Sequence, residues 1–221
     1  MKRWLKENRG FLIFLLCFGF LRTAVADWNP IPSSSMRPTL LEGDVVLVNR
    51  LAYDFKVPLT DISIIRLGEP QRGDVITFAS PHDGVRLIKR LVGLPGDVVE
   101  LRDDRLLING VVAEYSDAKE VVESLGAYSV HGVRATERVG NAEHPVQFLP
   151  GILAKRNFGP IVVPHDSYFF LGDNRDNSAD SRYVGMVPRR VLIGRAHHIL
   201  ASADITGNWL PRAARFGKSV E

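Results

Sequence analysis

The chain has 221 residues, 45% hydrophobic and 24% charged, with a formal net charge of +3 and one cysteine. That length suffices for one packed domain with a smaller insertion, and the small net charge, much of it from Lys2, Arg3, Lys6 and Arg9, gives no ground for nucleic acid as a partner. The lone Cys17 excludes an intrachain disulfide framework and a cysteine zinc cluster.

Residues 1–9 form a basic head, and an apolar run follows from Gly10 to Ala26. Two readings fit it. A cleavable export signal would have its apolar stretch over Phe11 to Leu21 and its small-residue exit at Ala24-Val25-Ala26. An uncleaved transmembrane anchor would use the whole run, somewhat short of the ~20 residues that a spanning helix needs, with Trp4 and Trp28 as interfacial flanks. Under both, the head stays in the cytoplasm and everything from Asp27 onward is exported.

Next comes Ile31-Pro32-Ser33-Ser34-Ser35-Met36-Arg37-Pro38-Thr39-Leu40. Prolines and consecutive serines suit neither a helix nor a central strand, so this is a rigid loop rich in hydroxyls. Three Gly-Asp pairs then precede β-branched runs: Gly43-Asp44 before Val45 to Val48, Gly73-Asp74 before Val75 to Phe78, and Gly96-Asp97 before Val98 to Leu101. Each reads as a turn feeding a strand. A hairpin continues from Val98 to Ala113, turning at Asp103-Asp104 and at Asn109-Gly110. Further strands are expected at Ile161 to Val163, Tyr168 to Leu171 and Val191 to Ile199. The expected fold is therefore mainly β, an antiparallel sheet over residues 27–113 and 161–206. Residues 114–160, more polar and with weaker alternation, are expected to form an inserted subdomain. The tail 207–221 is expected to be irregular and solvated.

Within the segment Val85 to Gly93, Leu87, Lys89 and Leu91 share one face of a strand, and Ile88, Arg90 and Val92 the other. Both faces are apolar around one cation, so at least one cation points at a core unless this is an exposed edge strand. A lysine titrates near ~10.4 in water, and burial lowers that because it disfavours the ammonium. A neutral amine accepts a proton from a serine; an arginine, always charged, does not. Lys89 is thus the candidate base. The stretch Gly172 to Tyr183 packs Asp173, Asn174, Asp176, Asn177, Ser178 and Asp180 into one turn. It lacks the sixth-position glycine and closing glutamate of a calcium loop, which leaves a solvated turn or a polar support for a reacting group. The six histidines follow no metal-ligand spacing, and no Gly-x-Ser-x-Gly elbow accompanies them.

Taken in order, Pro-Ser-x-Ser-Met-x-Pro-Thr-Leu, Lys-Arg-x-Val-Gly-x-Pro-Gly-Asp and Gly-Asp-Asn-Arg-Asp-Asn-Ser-x-Asp-Ser-Arg resemble bacterial type I signal peptidase, a membrane-anchored serine endopeptidase. The resemblance implies Ser35 as nucleophile and Lys89 as general base. It implies Ser33 and the Ser35 amide as oxyanion donors, Ser178 as the group orienting Lys89, and Asp180 with Arg182, near Arg90, as a supporting pair. It implies Pro30, Ile31, Pro32, Arg86, Leu87 and Ile88 as the borders of a bound substrate strand. Ser34 stands where the family usually has glycine. No cofactor or metal is implied. The implied partners are the signal peptides of exported preproteins, with small residues near the cleavage site, and the lipid bilayer. The implied setting is a monomer in the cytoplasmic membrane, crossing it once, with the peptidase on the outer face. A narrow-range Ser/Lys peptidase of the conjugation type has the same motifs. A LexA-like self-cleaving regulator would need a DNA-binding domain and no export segment, and a secreted, non-enzymatic β-domain would need no reactive lysine.

Overall fold

The computed structural model describes residues 2–58, 60, 62–125 and 128–220. Met1 of the expected head, Gly126 and Ala127 of the expected insertion, and Glu221 of the expected tail lie outside the described residues.

Helix α1 (Lys2–Glu7) is separated from α2 (Arg9–Phe20) by Asn8, whose backbone leaves the helical region. A π-helical turn, Leu21–Val25, follows, and Ala26 is already extended, opening strand β1 (Ala26–Pro30). The expectation of one helix over 10–26 is corrected accordingly. Twelve residues at 1.5 Å each span roughly 18 Å, against ~30 Å of hydrocarbon. Among the described residues no helix is long and apolar enough to cross a membrane. The physical reason is pairing: β1 joins the sheet from Ala26, opposite Asn49, so helix and strand compete for the end of the apolar run. No residue of α2 is buried, and Phe11, Ile13, Phe14, Leu16 and Phe18 are all exposed.

The strands that follow are β2 (Asp44–Asn49), β3 (Asp54–Lys56), β4 (Ser63–Arg66), β5 (Val75–Ala79), β6 (Arg86–Gly93), β7 (Val98–Arg102), β8 (Arg105–Ile108) and β9 (Val111–Val112). After them come β10 (Glu114–Leu125), β11 (Tyr128–Val139), β12 (Ala142–Phe148), β13 (Phe158–Val162), β14 (Ser167–Leu171), the short α3 (Ser181–Val184), β15 (Val187–Pro188) and β16 (Leu192–Ser202). A seven-stranded sheet runs β1-β2-β16-β5-β6-β14-β15, with sheets β13-β7-β8-β9 and β10-β11-β12 and the pair β3-β4 beside it. Every pairing is antiparallel. The fold is mainly antiparallel β, as the strand signals require.

The three Gly-Asp pairs share one device. Gly43, Gly73 and Gly96 have φ of 87°, 96° and 88°, which only glycine adopts at no steric cost. The aspartate after each accepts from the amide three residues earlier: Asp44 from Leu41, Asp74 from Gln71, Asp97 from Leu94. Asp103 and Asp104, and then Asn109 and Gly110, all have positive φ, as tight two-residue hairpins demand.

The region after Ala113 forms two long strands and a shorter one, with a bulge between Ser116 and Lys119. Most of β10 is exposed on both faces, which is why its sequence alternates weakly. The tail is irregular and largely exposed, as expected, but it is docked through a few residues. Arg212 donates to the Glu42 carbonyl, Arg215 to Asp44 and to the Thr39 carbonyl, and Val220 is fully buried. Val220 completes a cluster with Ile31, Met36, Leu40, Val46, Val75, Ala196 and Ile199. Val220→Ala should therefore cost about 1–3 kcal/mol in urea denaturation, although the residue lies in a stretch without regular structure.

Candidate active site

The serine loop is fixed from both ends. The Ile31 amide donates to the Asp44 carbonyl (2.8 Å) and the Gly43 amide to the Ile31 carbonyl (2.9 Å). Ser33 is extended, a single 3-10 turn covers Ser34–Met36, and the Arg37 amide closes it on the Ser34 carbonyl. Met36 and Leu40, both fully buried, seat the turn on the core, and the hydroxyls of Ser33 and Ser35 converge while that of Ser34 turns to the acidic turn. Ser33 is exposed, with Oγ 3.3 Å from Ser35 Oγ. Ser34 Oγ accepts from Asn177 (2.9 Å) and its carbonyl from Asn174 (3.1 Å). Ser35 is 8% exposed, and its carbonyl accepts from the Asn174 amide. Ser34, at the position of the family's glycine, has an ordinary backbone conformation and a committed hydroxyl.

Lys89 comes from β6, which lies between β5 and β14 and is no exposed edge over its second half. Lys89 and Arg90 are 3% and 2% exposed, so both faces of the strand carry a buried cation. Lys89 Nζ stands 2.7 Å from Ser35 Oγ and 2.9 Å from the Ile88 carbonyl. Burial pushes the Lys89 amine down to about 8, against the upward pull of Asp180 and Asp173.

The acidic turn is buried from Gly172 to Asp176, not solvated. Gly172 lets it close on the serine loop: a Cβ there would fall 2.2 Å from Ser178 Oγ and 2.5 Å from the Ser35 carbonyl. Each carboxylate of the turn has defined partners. Asp173 takes Arg90 through two bonds of 2.8 Å. Asp176 takes the Leu149 amide and Arg156. Asp180 takes Arg182 through two bonds of 2.8 Å, together with the Gly172 amide. Burial alone would raise the Asp173 carboxyl; the Arg90 charge and hydrogen bonds outweigh it and hold the group below its ordinary range. Arg182 is paired with Asp180, and Arg90 stands beside the turn on its own partner, Asp173. One expectation changes here. Ser178 Oγ is buried without a hydrogen-bond partner among the described residues, so the expected bond to the Lys89 amine is not formed.

Among the residues expected to border a substrate, Pro30, Pro32 and Arg86 are exposed and Leu87 and Ile88 half-buried, whereas Ile31 is a core residue. Arg86 Nη1 reaches from β6 to β1, donating to Asp27 (3.0 Å) and Asn29 (2.9 Å).

Residues 1–201 match the family described as signal peptidase, peptidase S26. The chain belongs to that family. Similar relatives include signal peptidase I of Pseudomonas aeruginosa, 36% identical over 95% of this chain and 77% of that protein, and of Pseudomonas fluorescens, 40% identical with the same coverage. A solved structure, a signal peptidase I from Enterococcus faecalis, is 34% identical and covers 57% of this chain and 96% of its own, with a TM-score of 0.35.

For a signal peptidase family member, the inserted sheet contributes two acids that motif reading missed. Glu137, fully buried on β11, accepts two bonds of 2.6 Å from Arg175 of the acidic turn and one from Tyr115, with His144 3.3 Å away. Burial would raise its carboxyl, but the Arg175 charge outweighs this and holds it far below the carboxylate range. Glu123, on β10, takes Arg37, two residues after Ser35, and Arg134. Neither glutamate lies in a recognisable motif; only the demand of the buried Arg175 for an anion would have pointed to one of them. Glu137→Gln should cost about 3–5 kcal/mol by leaving Arg175 buried beside a neutral partner. Glu143→Gln, whose Arg138 partner is exposed, should leave the melting temperature unchanged.

Proposed function

We propose that Ser35 attacks the scissile carbonyl while Lys89, neutral when it works, takes the hydroxyl proton. The Lys89 ammonium gives that proton to the amine as the C–N bond breaks and the ester forms on Ser35; a water, giving its proton to Lys89, then hydrolyses the ester and frees Ser35. Membership of the family makes the chain a serine endopeptidase that removes signal peptides. What supports this pair as its machinery is one contact: a desolvated amine 2.7 Å from the Ser35 hydroxyl. Ser33 Oγ and the Ser35 amide are the oxyanion donors in this reading. Ser178, with an uncommitted buried hydroxyl against the serine loop, is positioned to orient the amine once substrate rearranges the site. Asp180 with Arg182, and Arg90 with Asp173, hold the acidic turn against it.

In the same reading, α2 seats the enzyme at the bilayer through its exposed aromatic and aliphatic side chains. The basic head lies on the cytoplasmic side, and a monomeric peptidase domain, 27–113 with 161–206, faces outward. Residues 114–160 are an inserted subdomain and 207–221 a docked tail. Preprotein substrates would reach Ser35 and Lys89 from the membrane side.

Cleavage of a preprotein in detergent tests the assignment. Ser35→Ala and Lys89→Ala should each lower kcat/KM by about 10³-fold or more. Ser33→Ala should lower it by about 10²–10³-fold. Ser34→Ala should retain turnover, since its hydroxyl serves Asn177. Near-normal turnover by either of the first two variants would sink the pair.

The pH profile is a separate check. The base form of Lys89 is the deprotonated one, so kcat/KM should rise with pH through about 8 and then level off. Below that point it should fall about tenfold per pH unit. A rise centred near ~10.4, the value for free lysine, would contradict the desolvated amine.

A further inference from the structure

Four antiparallel pairings, β1–β2, β2–β16, β16–β5 and β5–β6, separate β1 from β6. Four is even, so β1 and β6 run in the same direction. The pairs of β14 with β6 reach only Arg90 to Gly93, which leaves residues 86–89 with an open edge. The outer edge of β1 is open too, because β1 ends the sheet. The Arg86 bond to Asp27 and Asn29 brings these two edges face to face, with the Ser35–Lys89 contact at one end of the slot and Arg86 at the other. Arg86 lies at the end next to the apolar N-terminal segment, since Arg22 stands 3.5 Å from Asp27 as well. A peptide emerging from the membrane and laid into the slot would therefore run parallel to both strands. Its residues upstream of the scissile bond would pass Arg86.

The chemistry of that end is unbalanced. One carboxylate, Asp27, serves two cations, Arg22 and Arg86. Asn29 accepts from Arg86 through Oδ1, which fixes its amide, and Nδ2 is then a buried donor without a partner. Among the described residues the hydrogen bonds of Arg86 all leave from Nη1. An excess positive charge and at least two uncommitted donors converge on one short stretch of slot.

We propose that Arg86 and Asn29 form a specificity subsite for an oxygen acceptor, best a side-chain carboxylate, on the substrate strand upstream of the cleaved bond. This rests on the Ser35–Lys89 reading and on β-strand binding between β1 and β6. Arg86 precedes Lys89 by three residues, about 10 Å of extended chain, which sets the contact near the third to fifth substrate residue before the scissile bond. Lipid headgroups present similar oxygens, but Asn29 is only 8% exposed and bonds Arg86, so it offers little to a bulk surface.

The test uses the full chain in neutral detergent and otherwise identical preproteins carrying Glu, Gln, Ala or Lys singly at those three positions. At one of them the wild type should favour Glu over Lys by about tenfold or more in kcat/KM, chiefly through KM. Arg86→Glu should reverse the order, Arg86→Gln should flatten it, and Asn29→Ala should lower the Glu and Gln substrates towards Ala. The ratio between substrates is the readout, and Arg86→Gln, nearest in length, carries the result if Arg86→Glu does not fold. An equal Glu-to-Lys ratio in wild type and Arg86→Gln at every position overturns the subsite. So does a preference that appears only when anionic vesicles replace neutral detergent. Ser35→Ala is run in parallel: cleavage by that variant overturns the nucleophile assignment instead, whatever the ratios.

Discussion

An amine held dry against a hydroxyl is unstable in a particular way, and the structure is arranged around that fact. In water Lys89 would be charged and Ser35 unreactive. At 3% exposure, with Nζ 2.7 Å from Ser35 Oγ, the ammonium loses its hydration and the neutral form becomes accessible near physiological pH. Burying a lysine this way opposes folding, so the surroundings must supply both rigidity and polar balance. Asp180 and Asp173 provide negative potential without forming an ion pair with the amine, since each is taken by an arginine. A carboxylate bonded directly to Nζ would restore the charge and remove the base.

Three buried arginine–carboxylate pairs carry that balance: Arg90 with Asp173, Arg175 with Glu137, and Arg182 with Asp180. A guanidinium meets a carboxylate through two fixed bonds, so each pair sets an orientation as well as a charge. Together they join β6, the acidic turn and the inserted sheet into one polar body behind the serine loop. Such pairs gain little net stability over apolar packing, but they fail badly when one partner is lost. The three-stranded sheet is thus tied to the site: through Glu123 and Glu137 it reaches Arg37, two residues after Ser35, and Arg175 of the acidic turn.

Much of this was readable from residues alone where a local rule applied. The Gly-Asp turns, the hairpin from Val98 to Ala113 and the two-faced strand of Lys89 each follow from backbone sterics or a two-residue period, and they appear as expected. The proposed reactive pair rests on three motifs occurring in order; no periodicity singles out Ser35 among three serines. Other features depended on distant partners. The strands β10 and β11 are too polar to show a buried face, because little of them is buried. The apolar run ends early as a helix because β2 claims Ala26. Asp173 holds Arg90 from the turn two residues beyond Leu171, which is the partner of Arg90 in the strand register. Val220 looked like part of a solvated tail because nothing local shows that the cluster under Met36 lacks a final member.

That cluster bears on the order in which the protein is assembled. Arg215 meets Thr39 and Asp44 across 176 and 171 positions, and Asn174 reaches Ser34 across 140. The floor beneath the serine turn is therefore closed by chain synthesised long after the turn itself. Contacts at such separation form late in folding. A partly made chain would have its serine loop and its lysine strand but not the ground that fixes one against the other. The arrangement of serine loop and lysine strand thus waits on residues near the other end of the sequence.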